Sequence, residues 1–243
     1  MTRFIAIISG KGGTGKTTTT LNLGHALVKN DKSVLLVDAN LATPNLGLHL
    51  GIIDPKATLN HFLRREKHIR DVIHTDETGI SIIPGSPNYI EFQKTNTYDM
   101  TKLFQHLDNT HDFVLIDCPS GFGPEVNALL KHTDESIIVA NPNISSIMEA
   151  VKSIDVARSN NNFVPGIVLN KSKRFSKHQM SKDEVENLLG IEVIETIHLD
   201  KKITKAHHKQ RPAGDLFPRS KAAKKYGRIA EYISMEHPKM NKK

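Results

Sequence analysis

The run Gly10-Lys11-Gly12-Gly13-Thr14-Gly15-Lys16-Thr17 satisfies the spacing G-x-x-x-x-G-K-[ST] through Gly10, Gly15, Lys16 and Thr17. The chemistry open to it is phosphate binding. Its glycines let backbone N–H groups curl around phosphate oxygens, its final lysine reaches the outer phosphates of a nucleotide, and its threonine hydroxyl can ligate Mg²⁺. Thr18 follows at once and belongs to the same cradle. Two carboxylates have matching positions: Asp38 ends the apolar run Ser33–Val37 and Asp117 ends Phe113–Ile116. Aspartates at the carboxyl edge of a parallel sheet can meet the Mg²⁺ and water that accompany phosphates, although either one alone could simply cap the next helix. Asn170 ends another apolar run, 163–169, and its amide can both donate to and accept from the edge of a purine base.

These side chains act together only if the chain places them on one edge. Phe4–Ile8 reads as a buried strand and 15–29 as a helix, so the phosphate loop joins a strand to a helix N-terminus, where free N–H groups and the helix dipole favour an anion. Further strands are expected at 33–37, 79–83, 113–116, 136–140 and 163–169, with helices near 98–109, 124–132, 144–159 and 181–189. Alternation of this kind predicts an α/β fold in which a mainly parallel twisted sheet carries helices on both faces, and with a phosphate loop after the first strand the expectation is the three-layer P-loop NTPase fold. At 243 residues the length admits one large domain or two small ones. Without a linker, repeat or low-complexity block, we expect one domain over 1–236 and a short basic tail over 237–243.

Composition narrows the setting. One cysteine, Cys118, provides no intramolecular disulfide and suits a reducing cytoplasm. No apolar run approaches the roughly 18 residues of a membrane span, and no signal peptide is expected ahead of the first strand. Among 13 histidines only His207 and His208 are adjacent, without the cysteine or carboxylate spacing of a zinc site. The net charge of +7 is uneven: residues 1–163 carry 15 Lys/Arg against 17 Asp/Glu, and residues 164–243 carry 18 against 9. Basic runs lie at 171–177 (including Arg174 and Lys177), at Lys201, Lys202, Lys205, Lys209 and Arg211, and at Lys221, Lys224, Lys225 and Arg228. Such an excess is open to three readings: a solvated face, a footprint for nucleic acid, or a surface for an acidic protein.

The loop, with its extra Lys11, resembles that of the MinD/ParA group of phosphate-loop ATPases, whose loop reads K-G-G-x-G-K-[ST]. The resemblance covers roughly residues 3–235 and is closer to MinD. Val37-Asp38-Ala39-Asn40 leading to Pro44-Asn45-Leu46-Gly47-Leu48 is similar to the MinD first switch, Asp117-Cys118-Pro119-Ser120-Gly121 to the second, and Asn141-Pro142 with Ser145-Ser146 to a further shared element. The resemblance implies ATP and Mg²⁺ as cofactors. It implies that Lys16 binds the β and γ phosphates, that Thr17 coordinates Mg²⁺ with Asp38 and Asp117 nearby, and that Asn170 contacts adenine beside Leu199 and Asp200. Lys11 would cross the interface of an ATP-bound homodimer to the partner's phosphates, neutralising charge as an arginine finger does.

Two departures from that family pattern carry expectations. The family usually has aspartate where this chain has Asn40, and asparagine can orient a water but cannot take up its proton, so intrinsic hydrolysis is expected to be slow and partner-stimulated. Where MinD proteins commonly end in a lipid-inserting helix, this chain has a tail with one large apolar residue and a proline, so stable membrane binding is not expected. A single cysteine also argues against the iron–sulfur branches of the superfamily. The first expectation is therefore a MinD-like dimerisation switch that positions or regulates a cellular structure. The alternatives are a ParA-like DNA-segregation factor using the basic final third, and an ATP-dependent enzyme acting on a small substrate.

Overall fold

The computed structural model describes residues 1–173, 176 and 178–235. The positions 174, 175 and 177 of the first basic run, and the tail from 236 onward, lie outside the described residues. In chain order the elements are β1 (Arg3–Ile8), α1 (Lys16–Lys29), β2 (Val34–Asp38), α2 (Leu59–Leu63), β3 (His74–Thr75), β4 (Ser81–Ile83), α3 (Tyr89–Gln93), α4 (Thr101–Leu107) and β5 (Phe113–Asp117). They continue as α5 (Pro124–Leu130), β6 (Glu135–Ala140), α6 (Ile144–Ser159), β7 (Phe163–Ser172), α7 (Lys182–Leu189), β8 (Val193–His198), α8 (Lys201–His208), α9 (Ala213–Leu216) and α10 (Lys221–Ser234). Short 3₁₀ turns occupy Leu48–Leu50 and Ile69–Val72.

The strands form one eight-stranded sheet in the order β3-β4-β2-β5-β1-β6-β7-β8, with only the short edge strand β3 antiparallel. This is the three-layer, mainly parallel α/β architecture that the alternation predicts. Strand β1 lies between β5 and β6, so the connections wind outward from it in both directions and the loop after β1 opens at a topological switch point. Parallel strands covered on both faces must be apolar on both faces. In β1 the side chains of Phe4, Ala6 and Ile8 enter one core and those of Ile5 and Ile7 the other, following the twofold period of a strand.

On one face α1 and α10 supply Leu21, Leu23, Leu27, Tyr226, Ile229 and Ile233; on the other, α4 to α7 supply Leu103, Phe104, Leu129, Ile147, Ile154 and Val185. The apolar stripe of α10 is therefore core, as a stripe of that size usually is. Arg3 anchors the same helix to the sheet, since its guanidinium meets the fully buried Glu135 carboxylate at 2.8 and 3.0 Å and donates to the carbonyl of Ile233 at 2.6 Å. Helix α6, which borders the site, starts at Asn143, whose side chain accepts from the Ser146 N–H at 3.0 Å.

The strands β3 and β8 were not visible in the sequence pattern, and β4 is shorter than expected. In β8 Glu195 and Thr196 interrupt the apolar Val193, Ile194 and Ile197, because the strand is an edge that meets α10 through the Lys225–Glu195 ion pair. The strand expected over 79–83 begins only at Ser81. Gly79 is at φ +84° in a turn organised by Asp76, whose Oδ1 accepts from the N–H groups of Thr78 and Ile80 at 2.9 and 3.0 Å.

Candidate functional site

The loop after β1 is built for a tight turn with its carbonyls tied to the protein. Gly13 and Gly15 adopt φ +75° and +100°, a region costly for other residues. Gly15 is also crowded: a Cβ there would lie 2.0 Å from Asn170 Nδ2. That amide donates to the carbonyl of Thr14 at 2.9 Å, Asn141 Nδ2 donates to the same oxygen at 3.3 Å and to the Asn170 carbonyl at 3.0 Å, and Lys171 Nζ donates to the Gly13 carbonyl at 2.6 Å. Holding these oxygens on the β6–β7 side suits a phosphate cradle, because a carbonyl turned toward a phosphate would repel it. Lys16 begins α1 as a buried lysine. Its Nζ donates to Ser9 Oγ at 3.0 Å, Ser9 in turn donates to the Lys11 carbonyl at 2.8 Å, and burial pulls its pKa down against the opposing charge of Asp117.

A cavity of about 600 Å³ opens over this loop, and among the residues lining it are Gly12, Gly13, Gly15, Lys16, Thr17, Thr18, Asn40, Asn170, Leu199 and Asp200. That volume suits a nucleotide. Residues read as one site from distant parts of the sequence thus share one wall. Gly10 and Thr14 instead support the loop from behind: a Cβ on Gly10 would meet Glu149 Cβ at 2.6 Å and Phe122 at 2.8 Å, and Thr14 is buried. Lys11 leaves the cavity altogether, its Nζ lying 3.0 Å from Ser145 Oγ at the start of α6. Leu199 is 57 % exposed, and Asp200 caps α8 by accepting from the Lys202 N–H at 2.9 Å.

Below Thr17 lie the two aspartates. They are paired in register across β2 and β5, and Thr17 Oγ1 donates to Asp117 Oδ2 at 2.6 Å. Asp38 Oδ2 accepts from the Leu46 N–H at 2.9 Å, which ties the segment after β2 to the carboxylate. The other oxygen of each, Oδ1, is buried without a hydrogen-bond partner. Buried unpartnered carboxylate oxygens are costly, and together with a threonine hydroxyl they form a hard oxygen donor set fitting Mg²⁺ or its water ligands. Burial raises the pKa of both groups, most for Asp38, which also feels the Asp117 charge; Asp117 is raised to about 6, with Thr17 and Lys16 opposing the shift.

A pH dependence follows. Mg²⁺ needs the ionised carboxylates, so its binding expels a proton and its affinity rises as pH climbs through about 6. Titration calorimetry of Mg²⁺ with nucleotide, in buffers of different ionisation enthalpy at pH 6, should register net proton release.

Asn40 and Asn170 have structural duties in this site. Asn40 Nδ2 donates to the Thr43 carbonyl and to Thr43 Oγ1 at 3.0 and 2.9 Å, closing a turn at the cavity wall. Asn170 gives Nδ2 to the loop, while its Oδ1 accepts from the Lys171 N–H at 2.9 Å. Ser9, Asn141 and Lys171 were missed as site residues, because the contacts of the last two span more than 120 positions and leave no local spacing to read. Cys118 is fully buried, which pushes its thiol pKa up and makes it inert. Among the described residues no cluster of three or more His, Cys, Asp and Glu is placed to hold a metal.

A phosphate loop at the switch point of a parallel sheet, with an oxygen donor set beneath it, defines the class of P-loop nucleoside triphosphatases. The comparisons specify the family: residues 1–234 match a family model described as "ParA: NUBPL iron-transfer P-loop NTPase", and the chain belongs to this ParA family. It is 33 % identical to an uncharacterized ATP-binding protein of Methanocaldococcus jannaschii, over 93 % of this chain and 85 % of that one. Its structure is similar to the cell division ATPase MinD of Pyrococcus furiosus, with TM-score 0.92, 33 % identity and coverage of 96 % and 98 % of the two chains. It is similar to the septum site-determining protein MinD of Pyrococcus horikoshii in complex with Mg-ADP, with TM-score 0.93, 31 % identity and full coverage of both chains. The chain is thus a MinD/ParA-like ATPase.

Proposed function

We propose that the chain is an ATP- and Mg²⁺-dependent dimerisation switch of the cytoplasm that positions or regulates a cellular structure, folded as one unit over 1–236 with an appended tail. The observation that carries this reading is the direction of Lys11. It reaches over the surface to Ser145, beside Ile144 and Met148, which are 66 % and 52 % exposed one turn apart on α6. A cation next to an apolar pair at the rim of a phosphate site suits a second copy of the same protomer, whose phosphates Lys11 would neutralise. Light scattering after size exclusion tests it: a doubled mass is expected with Mg-ATP only, and a monomer in all of buffer, Mg-ADP and Mg-ATP would refute it.

Hydrolysis in this reading is slow until a protein partner stimulates it. Asn40 faces the cavity as an amide, which can hold a water but not accept its proton. Asn40→Asp should raise the single-turnover rate about tenfold or more. The substitution also replaces the donor that closes the Thr43 turn, so the gain should come with a higher apparent nucleotide KM. An unchanged single-turnover rate removes Asn40 from the mechanism.

A second reading, non-specific DNA binding, is supported by a basic cavity of about 560 Å³ lined by Lys173, Lys202, Lys221 and Lys225. Several charges of this third are neutralised within the fold, however: Lys225 and Arg228 pair with Glu195, and Arg211 with Asp215. This weakens the field available to phosphates, and dimerisation must then supply the rest. DNA affinity that rises with ATP and falls steeply with salt would favour this reading; a gel assay at low salt without an ATP-dependent shift excludes it. For membranes, no described helix is long and apolar enough to cross a bilayer, and the apolar face of α10 is engaged in the core. Liposomes sedimented with ATP should leave the protein in the supernatant.

A further inference from the structure

Two histidines from opposite ends of the chain stack beside the phosphate loop. His49 belongs to the 3₁₀ turn Leu48–Leu50 and His207 to the last turn of α8, with ring centroids 4.2 Å apart and planes inclined by 29°. Both rings line the nucleotide cavity. The residue closing this turn approaches the chain just after α8 as well, since Gly51 adopts φ +77° and a Cβ there would lie 3.5 Å from Gln210 Oε1. Each end of this contact leads into the site. The His49 turn continues the segment whose Leu46 N–H holds Asp38, and α8 starts at the cavity residue Asp200.

We infer that the His49–His207 stack is a clasp that fixes the segment from Asp38 to Leu50 against α8 along the cavity wall, and that it thereby slows nucleotide release. The inference rests on reading the cavity as the nucleotide site. The two residues are positioning residues: they act on the nucleotide through the segment they hold.

The clasp works with neutral rings. Stacked imidazoles attract through their faces, whereas a proton added to either ring places a charge in a partly desolvated contact. Burial holds both rings below the ordinary histidine value, and His207 is pushed down to about 4, with His49 and His208 adding to the shift. Nε2 of His207 is buried without a hydrogen-bond partner. The other titratable groups on this part of the wall are Lys171, His198 and Asp200. Opening the clasp returns the rings toward an ordinary pKa near 6.5, so the open form binds more protons and closure weakens as pH falls from about 6.5 toward about 4.

The test is stopped-flow release of N-methylanthraniloyl-ADP from the full chain, chased with excess unlabelled ATP. It compares wild type, His49→Ala, His207→Ala, the double alanine variant and the double variant His49→Phe/His207→Phe. Each alanine substitution should speed release about 2- to 10-fold, the worth of one aromatic stack, and the double alanine variant should be no faster than either single one. The double phenylalanine variant keeps a stack without a titratable ring. It should release slowly, and accelerate between pH 7.5 and 5.5 by less than wild type, the remainder being what Asp117 contributes to both proteins. Should an alanine variant fail to fold, the phenylalanine pair and the wild-type pH profile decide the question. Release rates unaffected by alanine, single effects that multiply in the double variant, or a phenylalanine pair with the wild-type pH profile would each overturn the clasp. Failure of wild type to bind the labelled nucleotide would refute the nucleotide site itself, a distinct outcome.

Discussion

Gly15→Ala should weaken nucleotide binding about 100-fold while leaving the fold intact. The residue sits at φ +100°, where an alanine is strained by roughly 1–3 kcal/mol, and its Cβ would fall 2.0 Å from Asn170 Nδ2. Either the loop or Asn170 must move. If Asn170 moves, the Thr14 carbonyl loses its shortest donor; if the loop moves, its N–H groups lose their aim. Loss of one or two charge-assisted hydrogen bonds to phosphate, at about 1.5–3 kcal/mol each, lowers affinity about 100-fold. Equilibrium titration with a fluorescent nucleotide, beside circular dichroism and a thermal melt, separates this from unfolding. Affinity within twofold of wild type would mean that the loop does not carry the phosphates in the way described.

Lys16→Ala should have an effect of similar or larger size, by a different route. Lys16 is the one loop lysine that lines the cavity, and its ammonium is held over the loop by Ser9 rather than by a carboxylate. It is therefore free to exchange a hydroxyl for phosphate oxygens. Removing it deletes the charge that stabilises the transferring phosphoryl group and takes away the cation opposing the raised pKa of Asp117. We expect nucleotide affinity to drop about 100-fold or more and single-turnover hydrolysis to fall to background. The same loss of positive charge should move the pH at which Mg²⁺ binds upward, because Asp117 would ionise less readily. Lys16→Arg should not rescue hydrolysis, since a planar guanidinium does not fit a space shaped for an ammonium held by Ser9.

These two residues also mark how far the sequence could be read. The loop, its strand and its helix are contiguous, so local rules of period and spacing specify them, and Asp38 and Asp117 follow because each ends a strand on the same edge. The three-layer architecture was legible for the same reason, as buried parallel strands are apolar throughout. What was hidden depends on contacts between distant segments. Asn170 could be placed at the sheet edge from its strand, yet the engagement of its amide with Thr14 spans 156 positions and has no local signature. Strand β8 was hidden because an edge strand paired to a helix through Glu195 is not apolar. The parking of Lys11 on Ser145 and the stacking of His49 on His207 belong to the same class, set by the closed fold rather than by any window of sequence.

In the proposed reading each site is half of a unit, completed by Lys11 from another copy. Complementation tests it most directly. Lys11→Ala keeps the cavity but lacks the crossing lysine; Lys16→Ala keeps Lys11 but loses its own phosphates. When the two inactive variants are mixed in equal amounts with Mg-ATP, each mixed dimer holds one complete site, ATP of the Lys11→Ala protomer met by Lys11 of the other, so ATPase activity should rise well above the sum of the two variants measured alone. Activity that stays at the sum of the two variants alone would contradict a lysine acting between subunits.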